Sequence, residues 1–368
     1  MTDKTWPPAA RRLLDRLGLA LPIIQAPMAG PTLHEMVIAV SEAGGLGSLP
    51  CALLSPEQQR SELALIRAAT ARPINVNFFC HRPPAADAAR AAAWRARLRG
   101  YYLELGLDPD APVPAATRQP FDEAACRLVE QARPEVVSFH FGLPEPALLA
   151  RVQASGAAVI ASATTLAEAR WLAARGVDAV IAQGAEAGGH RGVFLTDEVD
   201  TQVGLFALLP QIVDAVRVPV IASGGIADAR GIHAAFALGA AAVQIGSAYL
   251  YTAEAHLPAP HRAALNDERA ESTALTNLFT GRPARGLVNR QMREVGPLSP
   301  LAPAFPTAGG ALAPLRAASE PQGSGDFMSL WAGQAAPLSA RDVPAGEGAG
   351  ALTRRLAAQA LARLHPGP

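Results

Sequence analysis

One of the eight histidines in these 368 residues, His140, stands at the tip of the apolar run "VVSFHFG" (136–142). An imidazole titrates near neutrality, so a histidine there can take a proton from a carbon acid or hold an anion through an N–H. The alternative is a core histidine satisfied by a backbone carbonyl. Three amides, Asn77, Gln183 and Gln244, also end apolar runs. Each brings donors and acceptors to one rim, which suits a flat heterocycle with amide-like edges. Gly224 and Gly225 in "SGGI", and Gly246 and Ser247 in "QIGSAY", can let backbone N–H groups approach an anion, whereas a lone glycine pair would signal only a tight turn. The stretch "AQGAEAGGHRG" (182–192) adds Gly188 and Gly189 for close backbone approach, then His190 and Arg191 to meet an anion or stack on a ring. His34 and His81 have no supporting motif and read as structural. Lys4 is the only lysine, so any cationic role inside the fold falls to arginine, histidine or a helix N-terminus.

The elements that position these residues form a repeat. Eight short apolar runs are candidate strands: 22–28, 45–50, 73–79, 136–142, 157–164, 178–184, 218–225 and 241–250. Each ends in a polar residue or glycine, and Ala-rich helical stretches such as "TLHEMVIAVSEAG", "PEQQRSELALIRAAT", "TLAEARWLAARG" and "ADARGIHAAFALG" lie between them. Continuous apolar strands imply a sheet covered on both faces, hence a parallel one. Strand–helix alternation repeated eight times predicts an α/β protein with a (β/α)8 TIM barrel. A doubly wound open sheet is the weaker reading, because the first strand–turn lacks a dinucleotide fingerprint. In a barrel, reactive side chains sit at the C-terminal strand ends and phosphate at the loops after strands seven and eight. The glycine sets after 223 and 245 fall there. Residues 1–252 are thus expected to form the barrel, with an elaborated connection at 80–125. Residues 253–345 are read as a smaller, mostly helical substrate or lid domain, and 346–368 as a C-terminal helix packing back on the protein.

Composition narrows the class. Half of the residues are apolar, 17% are charged and the formal net charge is zero, which gives no basis for nucleic-acid binding. Cys51, Cys80 and Cys126 show neither metal-ligand nor disulfide spacing, consistent with a reducing cytoplasm. No apolar run approaches the roughly 20 residues that span a bilayer, so no membrane partner is expected. An exposed apolar face on the C-terminal appendage would imply a homodimer.

Taken together and in order, "QAPMAG", "NVNFF", "SFHFG", "AQGAEAGGHRG", "ASGGI", "QIGSAYL" and "FTGRPARGLVNR" (279–290) resemble the class I nitronate monooxygenases, formerly called 2-nitropropane dioxygenases. The resemblance implies a barrel that binds FMN non-covalently and oxidises alkyl nitronates such as propionate 3-nitronate with O2 to a carbonyl compound and nitrite. It implies that Ala26, Pro27, Met28, Asn77 and Gln183 hold the isoalloxazine, and that Gly188, Gly189, Gly224, Gly225, Gly246 and Ser247 hold the ribityl phosphate. Gln244 and Ile245 belong to the same cofactor-binding set. His140 becomes the active-site histidine, either as base toward neutral nitroalkanes or as anchor for a nitronate. His190 and Arg191 lie beside flavin or substrate, with Gln183, His190 or a helix N-terminus taking the place of a lysine near the flavin N1 and C2=O edge. The alternative is an NAD(P)H-dependent quinone or enoyl-thioester reductase on the same barrel, with Arg191, Arg282 or Arg285 meeting the nucleotide's charge. A flavin-storing or regulatory barrel without turnover, and a flavin-free phosphosugar barrel, are further alternatives.

Overall fold

The computed structural model describes residues 5–114 and 118–365. Its strands are β1 (Ile23–Gln25), β2 (Gly47–Pro50), β3 (Ile74–Phe79), β4 (Val136–His140), β5 (Ala158–Ala163), β6 (Ala179–Gln183), β7 (Gly189–His190), β8 (Val220–Ser223), β9 (Ala242–Ile245), β10 (Thr273–Thr276) and β11 (Ala284–Leu287). Eight of them form one parallel sheet in the order β1-β9-β8-β6-β5-β4-β3-β2. Its two edges meet at an Ile24–Leu46 bridge, where Gln25 N donates to Leu46 O and Leu46 N donates to Ile23 O, both at 3.0 Å. The sheet therefore closes into the expected (β/α)8 barrel. The Gln25 side chain mends this seam, accepting from Ser48 N (2.9 Å) and donating to Thr32 Oγ1 (3.2 Å).

Side chains alternate across a strand, so each strand sends one set inward and one outward. The outward set, including Val137, Phe139, Val159, Val180 and Ile245, packs under the helices. The inward set changes character along the barrel axis. At the N-terminal ends Ile24, Val136, Ile160, Ile181 and Ile221 pack with Leu13 and Leu17 of helix Pro8–Leu17, which plugs the barrel floor. Two residues further along the same faces come Ser138, Ser162, Gln183 and Ser223, with Gln244 two residues beyond Ala242 and His140 two beyond Ser138. One alternation thus builds a dry base and a polar mouth.

The eighth strand is not followed at once by its helix. Residues 253–345 intervene, and helix Ala349–Leu364 then packs against helices 34–42 and 229–237, the place of an eighth barrel helix. Leu352, Leu356 and Ala360 are buried along its inner side, and Thr353 Oγ1 bonds the buried Tyr249 hydroxyl at 2.7 Å. The appendage is mostly short helices, to which β10 and β11 add an antiparallel hairpin that pairs with β7. The connection at 80–125 belongs with the appendage. Its helix Ala88–Glu104 buries Trp94, Leu98, Tyr101 and Tyr102 against Leu278, Phe279, Leu315 and Phe327, forming a second core. Trp94 Nε1 and Tyr102 Oη donate to the carbonyls of Ala308 (3.1 Å) and Ala311 (2.6 Å), fixing the two insertions together. Leu298 and Leu301 are the exposed large apolar side chains of the appendage among the described residues. Two such positions are ordinary for a surface, so the dimer expectation gains nothing from them. Among the described residues no helix is long and apolar enough to cross a membrane.

Candidate active site

A cavity of about 370 Å³ lies between the C-terminal strand ends and the appendage, a size that suits a cofactor-scale ligand. The polar inward set (Ser138, His140, Ser162, Gln183, Ser223 and Gln244) lines it, so the barrel's alternation aims six polar side chains into one space. Ala26, Pro27, Met28, Asn77, Gly188, Gly189, His190, Gly224, Gly225, Gly246 and Ser247 line it too.

Two expected positions do not. Ile245 belongs to the outward set, buried beneath the helices, and its backbone pairs with β1, the carbonyl accepting from Ala26 N at 2.8 Å. Arg191 is fully buried beneath the loop, donating to Gln183 O (2.6 Å), Gly184 O (2.7 Å) and Gln202 Oε1 (2.8 Å). Its guanidinium ties β6 to the loop that follows and cannot meet a ligand. Arg285, likewise, donates to Ala185 O (2.8 Å) and Thr273 Oγ1 (3.1 Å), while Arg282 donates to Val193 O (2.6 Å) and lies 4.3 Å over the Phe141 ring. None of these three arginines lines the cavity, so none is placed to meet a nicotinamide nucleotide there.

The glycine-rich end is built by close backbone approaches. Gly224 (φ 113°) and Gly225 (φ 68°) adopt a region open to glycine, which turns the chain beneath the cavity. A Cβ on Gly188 would stand 2.5 Å from Gly333 N, and one on Gly333 would stand 2.8 Å from Glu186 O. Both must therefore be glycine for the 332–333 segment to cross the loop after β6. Gly333 N also donates to Ser247 Oγ at 2.9 Å. The glycine at 188 thus serves the appendage's seating as well as any ligand.

These walls keep amide groups free for a ligand with donors and acceptors on its edge. The Gln244 Oε1 atom is buried without a partner among the described residues, on the wall of the cavity, and an orphaned buried acceptor is costly until a donor arrives. Gln183 accepts from Gly192 N (2.8 Å) and gives one N–H to His190 O (2.9 Å), which leaves it a second N–H. Asn77 Nδ2 donates to Ser138 Oγ at 2.9 Å.

His140 answers both readings of its sequence at once: it is tied to a backbone carbonyl and it faces the cavity. Its Nε2 lies 3.1 Å from His190 O, and since a carbonyl only accepts, Nε2 carries the proton and Nδ1 the lone pair. Burial depresses its pKa to about 4, the hydrogen bond to His190 opposing that shift and the charges of Arg282 and Arg191 adding to it. A Cβ on Gly192 would press 2.9 Å from His140 Cε1, so that glycine seats the ring. Phe141 follows with φ 68°, a left-handed conformation uncommon outside glycine that turns the chain directly after the histidine. His190, bonded to Thr280 Oγ1 at 3.0 Å, is held neutral by burial, its pKa well below the usual value.

The sequence reading missed an aromatic cluster beside the cavity, in which Phe79 lines the space and Phe141 and Phe305 pack against it. Phe79 and Phe141 stand 4.8 Å apart between ring centroids, and Phe305 lies 5.4 Å from both Phe141 and His190. His81 packs edge-on to Phe305 at 4.7 Å and is neutral, its pKa lowered to about 4 by burial first and by Arg282 and Arg118 next. It backs the wall rather than lining the cavity, in keeping with its structural reading. His34 likewise pairs with Glu62 at 3.1 Å. Arg118, Trp331 and His261, from the two insertions, also line the cavity.

Comparison with known proteins follows this geometry. The nitronate monooxygenase family model matches residues 11–354. A nitronate monooxygenase of Paraburkholderia phytofirmans is 42% identical over 97% of each chain. One of Pseudomonas aeruginosa is 42% identical, over 90% of this chain and 95% of its own. Among solved structures, a nitroalkane oxidase from Streptomyces ansochromogenes superposes with a TM-score of 0.86 at 38% identity, over 96% of this chain and 99% of its own. FabK from Thermotoga maritima gives a TM-score of 0.70 at 25% identity over 96% of each chain.

Proposed function

This chain belongs to the nitronate monooxygenase family, and on that premise we propose that it is a non-covalent FMN enzyme oxidising alkyl nitronates, such as propionate 3-nitronate, with O2 to a carbonyl compound and nitrite. The observation that carries the reading is a neutral imidazole, His140, on the same cavity as the amide and glycine positions. Bound there, FMN would accept the substrate's electrons and pass them to O2.

The chain's own residues then divide the work. Ala26 to Met28, Asn77, Gln183 and Gln244 would hold the ring system, and the backbone at Gly224, Gly225, Gly246 and Ser247 would hold the phosphate at the loops such barrels use. With no lysine among the described residues, Gln183's remaining N–H and the His190 side would be the local donors for the flavin's carbonyl edge. His140 would take the α-proton of a neutral nitroalkane at Nδ1. With its only N–H committed to His190 O, the ring has none left to give a nitronate oxygen, which favours base over anchor. The nitronate anion formed by that transfer would stabilise the imidazolium beside it, offsetting the low pKa of the resting ring. Phe79, backed by Phe141 and Phe305, would exclude water from the reacting carbon.

Oxygen uptake and nitrite release with propionate 3-nitronate test this reading. Oxidation of NADH with a quinone or an enoyl thioester, and no nitrite, would assign the chain to the reductase chemistry instead.

A further inference from the structure

We propose that Arg118 is the anion-recognition residue of the substrate cavity, using its planar guanidinium to hold a planar oxyanion of the substrate, and that it sets preference for ionised over neutral substrates. The proposal rests on the nitronate reading above and names a residue that no sequence motif marked.

The argument is one of charge balance inside the cavity. Two arginines line it, Arg118 and Arg316. Arg316 is neutralised, its Nε 2.8 Å from Glu320 Oε2. Arg118 has no ion pair and no side-chain hydrogen bond among the described residues, and it is only partly exposed. Glu186, the one carboxylate on the cavity wall among the described residues, is occupied at the glycine-rich end, where both its oxygens accept from Leu205 N at 2.9 Å. The imidazoles around Arg118 cannot balance it either. Burial first, and the charge of Arg118 among the lesser causes, keeps His81 and His190 neutral. Burial also lowers the pKa of Arg118 itself, the mark of a cation held partly out of water. A guanidinium so placed stays charged near neutral pH, and a partly dehydrated charge without a partner is unfavourable. A three-atom oxyanion, O–N–O of a nitronate or O–C–O of a carboxylate, matches its fork with two parallel hydrogen bonds.

The aromatic wall makes this selective. Phe79 and Trp331 on the cavity wall offer a neutral nitroalkane mainly apolar contact, whereas an anion gains Arg118 in addition. The discrimination comes from a permanent cation, so it does not depend on a histidine taking up a proton.

The test uses the FMN-loaded enzyme and the variants Arg118→Met, which keeps the apolar stem, and Arg118→Lys, which keeps charge without the fork. Nitrate serves as an inert planar oxyanion, titrated against the flavin absorption spectrum, so this arm needs no turnover. The expected result is a nitrate Kd raised at least tenfold in Arg118→Met and by less in Arg118→Lys. In steady state the ratio of KM for nitronate to KM for neutral nitroalkane rises by a similar factor. If the rise is confined to a nitronate that also bears a carboxylate, the carboxylate is the group held. An equal rise for ethyl nitronate assigns the nitronate group itself. Unchanged nitrate binding in Arg118→Met, or a loss shared equally by neutral nitroalkane, overturns the proposal. A wild-type enzyme that binds nitrate through Arg118 yet oxidises no nitronate would overturn the proposed function and leave the anion site standing.

Discussion

The cavity has two walls of different origin. The barrel wall is laid down by one rule, side-chain alternation, which carries Ser138, Ser162, Gln183, Ser223 and Gln244 to the same rim from five strands. The opposite wall has no such rule. It is assembled from Phe79 at a strand end, Trp331 and His261 from the 253–345 insertion, and Arg118 from the 80–125 connection, with Phe141 in a left-handed turn and Phe305 packed against Phe79. The barrel wall offers amides and glycine backbone to something large and planar. The insertion wall offers rings, neutral imidazoles and one unbalanced cation to something small. Under the proposed function, this division would separate cofactor binding from substrate selectivity.

The largest expected break in that division comes at the residue joining the two walls. His140→Asn should lower kcat/KM on a neutral nitroalkane by about 10²–10⁴-fold, the range for a lost general base, while sparing most activity on a preformed nitronate. Equal loss on both substrates would make His140 an anchor, and no loss would return it to a structural role.

Acid should act next. In the folded protein His81 and His140 take up protons only near pH 4, against an ordinary value of 6.5. Between those values the unfolded chain binds more protons, so stability falls as pH drops through the window, by on the order of 3 kcal/mol for each histidine once below it. Denaturant titrations of the flavin-free protein at pH 7.5, 6, 5 and 4 would record the decline, and His81→Asn should flatten it. A stability independent of pH across that window would mean the imidazoles are not held neutral by burial.

A smaller effect is expected where the insertion rests on the barrel. Gly188→Val places carbon against the 332–333 backbone, at a cost of about 1–3 kcal/mol for overpacking. Thermal unfolding should register it, together with easier loss of bound flavin. A fully stable, flavin-tight Gly188→Val would mean the segment shifts freely.

The smallest change has opposite signs in two states. Gln244→Leu removes the orphaned Oε1, so the flavin-free protein should gain about 1 kcal/mol while FMN binding weakens. Calorimetry with and without FMN would separate the two, and unchanged FMN affinity would take Gln244 out of the cofactor set.

The same contrast explains what could be read in advance. The barrel was legible because its signal is local: eight apolar runs, each ending in a polar residue, with glycines past the helix ends such as Gly44, Gly176 and Gly239 (φ 93°, 75° and 95°). Asn77, Gln183 and the glycines at 224–225 could be found by their place at those ends. Arg191 and Ile245 show the limit of motif reasoning, since a neighbour in sequence can face the opposite way. For Ile245 period-2 alternation already carries the answer, as it follows the inward Gln244. Arg191 could not have been placed so, because its partners, the carbonyls of Gln183 and Gly184 and the side chain of Gln202, are set by the tertiary fold. The insertion wall was illegible because its contacts run between distant segments, Trp94 with Ala308 and His190 with Phe305. Phe141, directly after the histidine, carries no sequence signal for the left-handed turn it adopts.

The most direct test of the whole account is the visible spectrum of the purified protein on anaerobic mixing with propionate 3-nitronate, and separately with NADH. The account predicts a flavin spectrum that changes with the nitronate and not with NADH, with nitrite appearing once air is admitted. Rapid bleaching by NADH alone, or a colourless protein that cannot take up FMN, would contradict it.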